Sequence, residues 1–270
     1  MAKERLDKLV TQRDLFPSRS QAKRAIMAGL VLVDEQVVDK AGTQIDVEAE
    51  IRVKGEIHPY VSRGGLKLEK ALKEFAISLE DKVVLDIGAS TGGFTDCALE
   101  FGARQVYAVD VGYGQLAWKL RQDQRVVNLE RTNARYLTPE DFEVKFDLAT
   151  VDVAFISLTK ILPALVDLLV EQGEVLALIK PQFEAGPEKV NNKGVVKDLA
   201  VHKEVIRKVV DCAQGIGLRL IDFSFSPITG AKGGNIEYLA YFSLDTNIKK
   251  VENLAEKLEK VIAAAKQMNN

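Results

Sequence analysis

Residues 83–96 read Val83-Val84-Leu85-Asp86-Ile87-Gly88-Ala89-Ser90-Thr91-Gly92-Gly93-Phe94-Thr95-Asp96. A short apolar run, interrupted only by Asp86, passes into a glycine-rich turn and then into a segment able to open a helix. Such a run fits a strand covered on both faces. Glycines between strand and helix let the backbone turn tightly and approach a ligand facing the helix N-terminus. Further candidate strands follow at 105–109, 146–151, 174–179, 218–223 and 237–242, with another at 125–129. Helical spacing fills the intervals around 94–101, 158–171 and 198–216. This alternation predicts an α/β fold, a doubly wound Rossmann-like parallel sheet with helices on both faces. The second strand ends at Val109-Asp110, where a carboxylate can accept hydrogen bonds from ribose hydroxyls.

Upstream, Leu66, Leu68, Ala71, Leu72 and Phe75 have helical spacing. Residues 56–65, with His58-Pro59 and Gly64-Gly65, read as a linker. The first 55 residues have a different pattern. Leu6, Leu9 and Val10 indicate a helix ending near Phe16-Pro17, and Ser18 is placed to cap a second helix that Gly29 stops. Val31, Val33, Val37, Ile45, Ile51 and Val53 then alternate as short strands. Seven basic groups against three acidic ones in residues 1–30 give net +4, and three against seven in residues 31–60 give net −4. This switch predicts a small α+β module with a basic face made of Arg5, Lys8, Arg13, Arg19, Lys23 and Arg24. At the other end, residues 246–270 contain Leu254, Leu258, Val261 and Ile262 at helical spacing. The expected divisions are therefore 1–55, the linker 56–65, a main domain 66–245 and a C-terminal helix.

The whole chain of 270 residues carries 37 basic and 39 acidic side chains, so its charge of −2 points to no polyanion by itself. Any nucleic-acid contact has to rest on the local basic face. Cys97 and Cys212, the two cysteines, cannot build a disulfide framework, which fits a reducing, cytoplasmic compartment. No stretch approaches about 18 uninterrupted apolar residues, and no apolar signal core follows Met1, so stable membrane association is not expected. His58 and His202 are the two histidines. Without a Cys/His cluster, no metal site is expected. His202 lies on a charged helix and is expected at the surface. Trp118, within Leu116-Ala117-Trp118-Lys119-Leu120, is expected to pack on a helix face.

Two ligand classes fit the glycine loop. Gly88-x-Ser90-x-x-Gly93 nearly matches the dinucleotide fingerprint, and Asp110 stands about 20 residues on. Ser90, however, replaces the glycine that lets a pyrophosphate approach. Asp86-x-Gly88, an acidic residue two before the first glycine, instead resembles the S-adenosylmethionine loop of methyltransferases. That resemblance implies a donor site formed by Asp86, Gly88, Ala89, Ser90, Gly92, Gly93, Phe94, Asp110 and Val111, with Asn133 and Ala134 near the adenine.

Four further segments hold polar residues read as lying at strand ends: Ser62-Arg63-Gly64-Gly65-Leu66-Lys67-Leu68, Val151-Asp152-Val153-Ala154-Phe155-Ile156-Ser157-Leu158, Leu178-Ile179-Lys180-Pro181-Gln182-Phe183-Glu184 and Gly234-Asn235-Ile236-Glu237-Tyr238-Leu239. Together they resemble the Lys-Asp-Lys-Glu tetrad of FtsJ-type RNA ribose 2′-O-methyltransferases. Read in order with the glycine loop, the series is similar to the TlyA family, bacterial rRNA methyltransferases long also labelled hemolysins. The resemblance implies S-adenosylmethionine as cofactor, ribosomal RNA or a ribosomal subunit as partner, and a catalytic set at Lys67, Asp152, Lys180 and Glu237. It also makes residues 1–55 similar to an RNA-binding module of a small-subunit ribosomal protein, and adds Arg63 to the RNA-contacting groups.

The chemistry explains such a set. A ribose hydroxyl attacks a sulfonium methyl better as its proton leaves, and a lysine takes that proton only when neutral. Burial and a neighbouring cation lower a lysine pKa, whereas carboxylates raise it. Lys67 and Lys180 are expected to depress each other, with Asp152 and Glu237 pulling the other way. Lys180 is read as the group that activates the hydroxyl and the others as its positioning shell. The sulfonium already carries the driving force, so the reaction requires no metal. Two alternatives are a membrane-active hemolysin and an RNA-binding protein without catalysis.

Overall fold

The structure is a computed structural model that describes residues 2–16, 18–27, 29–54, 58–230 and 234–268. Pro17, Glu56, Ile57, Asn269 and Asn270, which figure in the expected boundaries, lie outside them. The chain divides into two compact units, Met1–Pro59 and Tyr60–Asn270.

The first unit runs β1 (Lys3–Arg5), α1 (Leu6–Gln12), α2 (Arg19–Met27), β2 (Val31–Val33), β3 (Gln36–Val37), β4 (Gln44–Asp46) and β5 (Ile51–Val53). β1 pairs with β4, and β3-β2-β5 form a separate antiparallel sheet. Leu6, Val10, Phe16, Ala22, Ile26, Val31 and Val33 make its core. Asp7 is fully buried beneath the basic face. Its carboxylate accepts from Arg5 Nε at 3.0 Å and from the Arg19 guanidinium at 2.9 Å, with Lys23 Nζ 4.0 Å away. Hydrogen bonds from Arg5 and Arg19 outweigh the cost of burial and pull the carboxyl down to about 2.

The second unit begins with α3 (Gly65–Glu74), followed by β6 (Val83–Ile87), α4 (Gly93–Glu100), β7 (Gln105–Val109), α5 (Trp118–Arg121), β8 (Val126–Leu129) and β9 (Phe146–Val151). Then come α6 (Leu162–Val166), β10 (Leu169–Ile179), α7 (Pro181–Glu184), α8 (Leu199–Gly215), β11 (Arg219–Phe225), β12 (Tyr238–Ser243) and α9 (Leu254–Met268). The seven strands lie in the order β11-β12-β10-β9-β6-β7-β8. β8, β7, β6, β9 and β10 run parallel, whereas β12 is antiparallel to both of its neighbours.

Alternate residues feed two separate cores. Val83, Leu85 and Ile87 of β6 join α6, α8 and α9 on one face, while Val84 joins α3 and α4 on the other. β10 divides in the same way, Val175, Ala177 and Ile179 against Leu176 and Leu178. Burial on both faces is why these strands read as unbroken apolar runs.

Four expectations need correction. The region 158–171 is not one helix. Leu158–Lys160 is a 3-10 turn, α6 spans a single turn beginning at Leu162-Pro163, and β10 has already started at Leu169. The linker is shorter than 56–65, because Tyr60 is buried in the second core and Gly65 already belongs to α3. His202 is 2% exposed, and its ring bonds to Tyr238 Oη at 2.7 Å and to the Val196 carbonyl at 2.9 Å. Trp118, on a helix of only four residues, is 71% exposed. Among the described residues, no helix is long and apolar enough to cross a membrane.

Candidate active site

Parallel strands end along one edge of the sheet, and the loops leaving β6, β7, β9 and β10 gather there. Two adjoining cavities open on that edge. One, of about 770 Å³, is bordered by Ser62, Lys67, Asp152, Lys180, Phe183 and Glu237. The other, of about 420 Å³, is bordered by Asp110, Val111, Asn133, Ala134 and Ile156. Gly88, Ser90, Asp152, Ala154 and Phe155 border both.

The four expected catalytic residues converge from four elements. Lys67 lies in the first turn of α3, Asp152 directly follows β9, and Lys180 directly follows β10. Glu237 directly precedes β12. Because that strand is antiparallel to β10, with Tyr238 opposite Ile179, its beginning lies at the edge where β10 ends. Lys67 Nζ is 3.2 Å from Asp152 Oδ2 and 2.6 Å from Glu237 Oε2, and Lys180 Nζ pairs with Asp152 Oδ1. The result is an alternating row, Lys180–Asp152–Lys67–Glu237, with no net charge when all four groups are ionised. Balanced charge makes such burial tolerable, since removing one member would leave an uncompensated ion.

Burial alone would lower the Lys67 pKa, but the carboxylates of Asp152 and Glu237 outweigh it and raise the group above the ordinary lysine range. Of the opposing effects expected at Lys67, the pull of the carboxylates prevails. Burial likewise opposes ionisation of Asp152, yet Lys67 and Lys180 outweigh it and hold the carboxyl below the usual carboxylate range.

The glycine loop packs closely against this row. Gly88 has φ +84°, and a Cβ there would stand 2.5 Å from the Asp152 carbonyl oxygen. Its amide donates to the Val109 carbonyl at 2.9 Å, while Asp152 donates its own amide to the Ile87 carbonyl at 2.9 Å. Gly92, at φ +98°, opens α4. Ser90 is also left-handed, with φ +49°. Its amide donates to Asp110 Oδ2 at 2.8 Å, and Gly112 donates to Asp110 Oδ1 at 2.7 Å. Asp110 thus organises two loops and still borders a cavity.

Most of the expected donor residues reach the cavities, but Asp86 and Gly92 border neither. Asp86 is buried behind the loop, accepting from Thr95 Oγ1 at 2.6 Å and Thr150 Oγ1 at 3.0 Å. Burial outweighs those two hydrogen bonds and pushes its carboxyl up to about 6. It joins β6, β9 and α4. Sequence reading assigned no role to Phe155, Gln182, Phe183, Asn192, Lys193 or Asn235, all of which border the larger cavity. Phe155 is the most conspicuous, 89% exposed and at φ +63°, with its ring 5.1 Å from that of Phe183.

The basic residues divide by environment. Arg5, Arg19 and Lys23 converge on Asp7, Lys8 pairs with Glu4, and Arg13 donates to the carbonyls of Val47 and Ala49. Arg24 makes no ion pair among the described residues and stays exposed. Arg63, in the second unit, donates to the Thr229 carbonyl. Among the described residues, no group of three or more His, Cys, Asp or Glu could hold a metal ion.

Residues 60–244 match the model of the FtsJ-like methyltransferases, so the match spans the sheet, both cavities and the charged row. The chain belongs to the FtsJ-like methyltransferase family. Ahead of this methyltransferase unit, residues 4–51 match the S4 domain. A Bacillus subtilis protein provisionally named as an rRNA methyltransferase is 57% identical over 240 residues, covering 88% of this chain and 85% of its own. The 16S/23S rRNA (cytidine-2′-O)-methyltransferase TlyA of Mycobacterium tuberculosis is 43% identical over 244 residues, covering 90% of this chain and 91% of its own. A solved structure from Streptococcus thermophilus, provisionally described as a hemolysin, superposes with TM-score 0.76 at 49% identity. That match covers 99% of this chain and 97% of the other. The matches thus extend over both units of this chain in relatives that carry both kinds of name.

Proposed function

We propose that this methyltransferase uses S-adenosylmethionine to methylate a ribose 2′-hydroxyl of ribosomal RNA. The observation that carries the reading is the buried Lys180–Asp152–Lys67–Glu237 row, which borders a cavity adjoining the one lined by Asp110 and Asn133. The residues present fit a nucleoside-type methyl donor. Asp110 offers acceptor oxygens for ribose hydroxyls, and Val111, Ala134 and Ile156 offer an apolar wall for an adenine. When bound, the donor supplies an electrophilic sulfonium methyl and leaves as a neutral thioether.

The two lysines have different work. Lys67 lies between two carboxylates that hold it charged, so it acts as a fixed cation that orients both. Lys180 touches one carboxylate where Lys67 touches two, so it is the lysine that more readily gives up its proton to solvent, and once neutral its Nζ can receive the hydroxyl proton. As that proton arrives, ionised Asp152 stabilises the ammonium that forms. A pre-placed opposite charge of this kind needs no reorganisation during the reaction. The TlyA relative, named for ribose methylation of 16S and 23S rRNA, and the S4 module support RNA as the acceptor.

Incubating the full chain with ribosomal subunits and isotopically labelled donor tests the reading. A 2′-O-methyl group blocks alkaline cleavage of the adjoining phosphodiester, so the label is expected in alkali-resistant dinucleotides. Label recovered on the base, or none in rRNA, would refute the proposal.

A further inference from the structure

Glu184 borders neither of the two cavities, yet it is 6% exposed and its carboxylate makes no salt bridge among the described residues. A carboxylate buried without a cation is costly, and burial raises its pKa. Its two oxygens have definite partners. Oε2 accepts from Ser157 Oγ at 2.6 Å and Oε1 from the Leu158 amide at 2.7 Å. Lys208 Nζ bonds instead to the main-chain carbonyl of Glu184, at 3.2 Å.

Ser157 closes the loop that begins at Asp152, and Glu184 closes the single helical turn that begins just after Lys180. The 3-10 turn at Leu158–Lys160 does not need Glu184 as its cap, since Ser157 Oγ already accepts from the Thr159 amide at 3.2 Å. What the carboxylate adds is a cross-link between two loops. The loops are thereby joined twice, by the Lys180–Asp152 ion pair at the cavity and by Glu184 about one helical turn behind it. Phe155 and Phe183 fall between the two joints in sequence, and their rings lie 5.1 Å apart.

We infer that Glu184 is a positioning residue for methyl transfer, holding the Asp152 loop in register with the Lys180 turn. The inference rests on the proposed 2′-O-methyl transfer. If the unaltered chain labels no ribose, that proposal fails. If it does, the variants below judge Glu184 alone.

The test measures single-turnover transfer to rRNA, donor affinity by calorimetry and urea unfolding for Glu184→Ala, Glu184→Gln, Ser157→Ala and the Ala/Ala double variant. Misplacing reacting groups by about 1 Å costs on the order of 100-fold. Glu184→Ala is therefore expected to transfer about 10- to 100-fold more slowly, with donor affinity within about twofold of the original. Glu184→Gln retains one acceptor and should recover part of the rate. Ser157→Ala should lose less than Glu184→Ala, and the double variant should be no slower than Glu184→Ala, because both changes cut one link. If Glu184→Ala does not fold, Ser157→Ala and Glu184→Gln still decide the matter. Original transfer rates in both, or a Glu184→Ala protein that is less stable but equally fast, would overturn the inference.

Discussion

Asp152→Asn removes the charge on which both lysines depend while keeping the shape of the side chain. The Asp152 carboxylate lies 3.2 Å from Lys67 Nζ and closer still to Lys180 Nζ, and the three side chains are at most 17% exposed. At an effective dielectric of about 20, each contact is worth roughly 5 kcal/mol before desolvation is subtracted. Breaking a buried pair by deleting one partner costs about 3–5 kcal/mol in net terms. The variant has one escape, the release of a proton from one of the two ammonium groups. From an ordinary lysine pKa near 10.4, that release costs about 4–5 kcal/mol at pH 7 and about 2 kcal/mol at pH 9. The destabilisation is therefore expected to be about 4 kcal/mol at pH 7 and about 2 kcal/mol at pH 9. In this window the folded variant binds fewer protons than its unfolded chain, so its stability relative to the unaltered protein rises with pH. Asp152 itself adds no slope there, because its carboxyl is held below the usual range and titrates only in acid. Urea unfolding followed by circular dichroism at pH 7, 8 and 9 measures the effect. A loss below about 1 kcal/mol, or an equal loss at all three pH values, would refute the charge arrangement.

Lys180→Arg keeps a positive charge that guanidinium does not surrender, so transfer should fall by about 10²–10⁴, as in Lys180→Ala, with donor binding retained in both. High activity in the Arg variant would leave Lys180 as an orienting cation only. Asp110→Ala should weaken S-adenosylmethionine binding by about 1–3 kcal/mol in calorimetry; undiminished affinity would remove Asp110 from the donor site. Gly88→Ala meets left-handed strain of about 1–2 kcal/mol and a main-chain clash of about 1–3 kcal/mol, and unfolding in urea should show a combined loss of about 2–5 kcal/mol. In the first unit, Asp7 titrates near 2 when folded. Its stabilisation is full above the unfolded carboxyl range and lost as pH falls through about 2. Allowing for half-exposed partners, Asp7→Asn should remove about 1–2 kcal/mol at pH 6 and less at pH 2.5, read by thermal unfolding of the full chain.

The sheet was legible because its strands are apolar on both faces. Val83–Ile87, Gln105–Val109 and Phe146–Val151 lie where the runs place them. Asp152, Lys180 and Glu237, three of the four residues that the structure brings together, stood out because they adjoin the ends of those runs. What escaped did so for local reasons. Leu168-Leu169-Val170 fits a helix or a strand equally well, and the polar Glu171-Gln172-Gly173 hid the fact that β10 continues through an irregular register into Glu174. His202 stands in step with Val205, Ile206, Val209 and Ala213 on the buried face of α8, so its spacing carried a signal that its charged neighbours obscured. For Trp118 there was no comparable signal, because a single turn has no sustained face. Asp86 fits the pattern of a ligand-binding acid, and spacing does not show that its oxygens accept from Thr95 and Thr150. The net charge balance around Lys67 likewise depends on distances that spacing cannot supply.

The placement of β12 has a consequence for biosynthesis. This last strand of the sheet is inserted between β10 and β11, and Glu237 arrives with it. A nascent chain that has emerged only as far as α8 already carries Lys67, Asp152 and Lys180, but one edge of β10 is still open. Pairings between segments so distant in the chain form late and slowly, and an unpaired edge strand invites association with other chains. β11 cannot relieve the exposure, because its partner in the sheet is β12. Completion of the charged row thus waits until β12 has been made and has paired with β10, so the three earlier members of the row come together before the fourth.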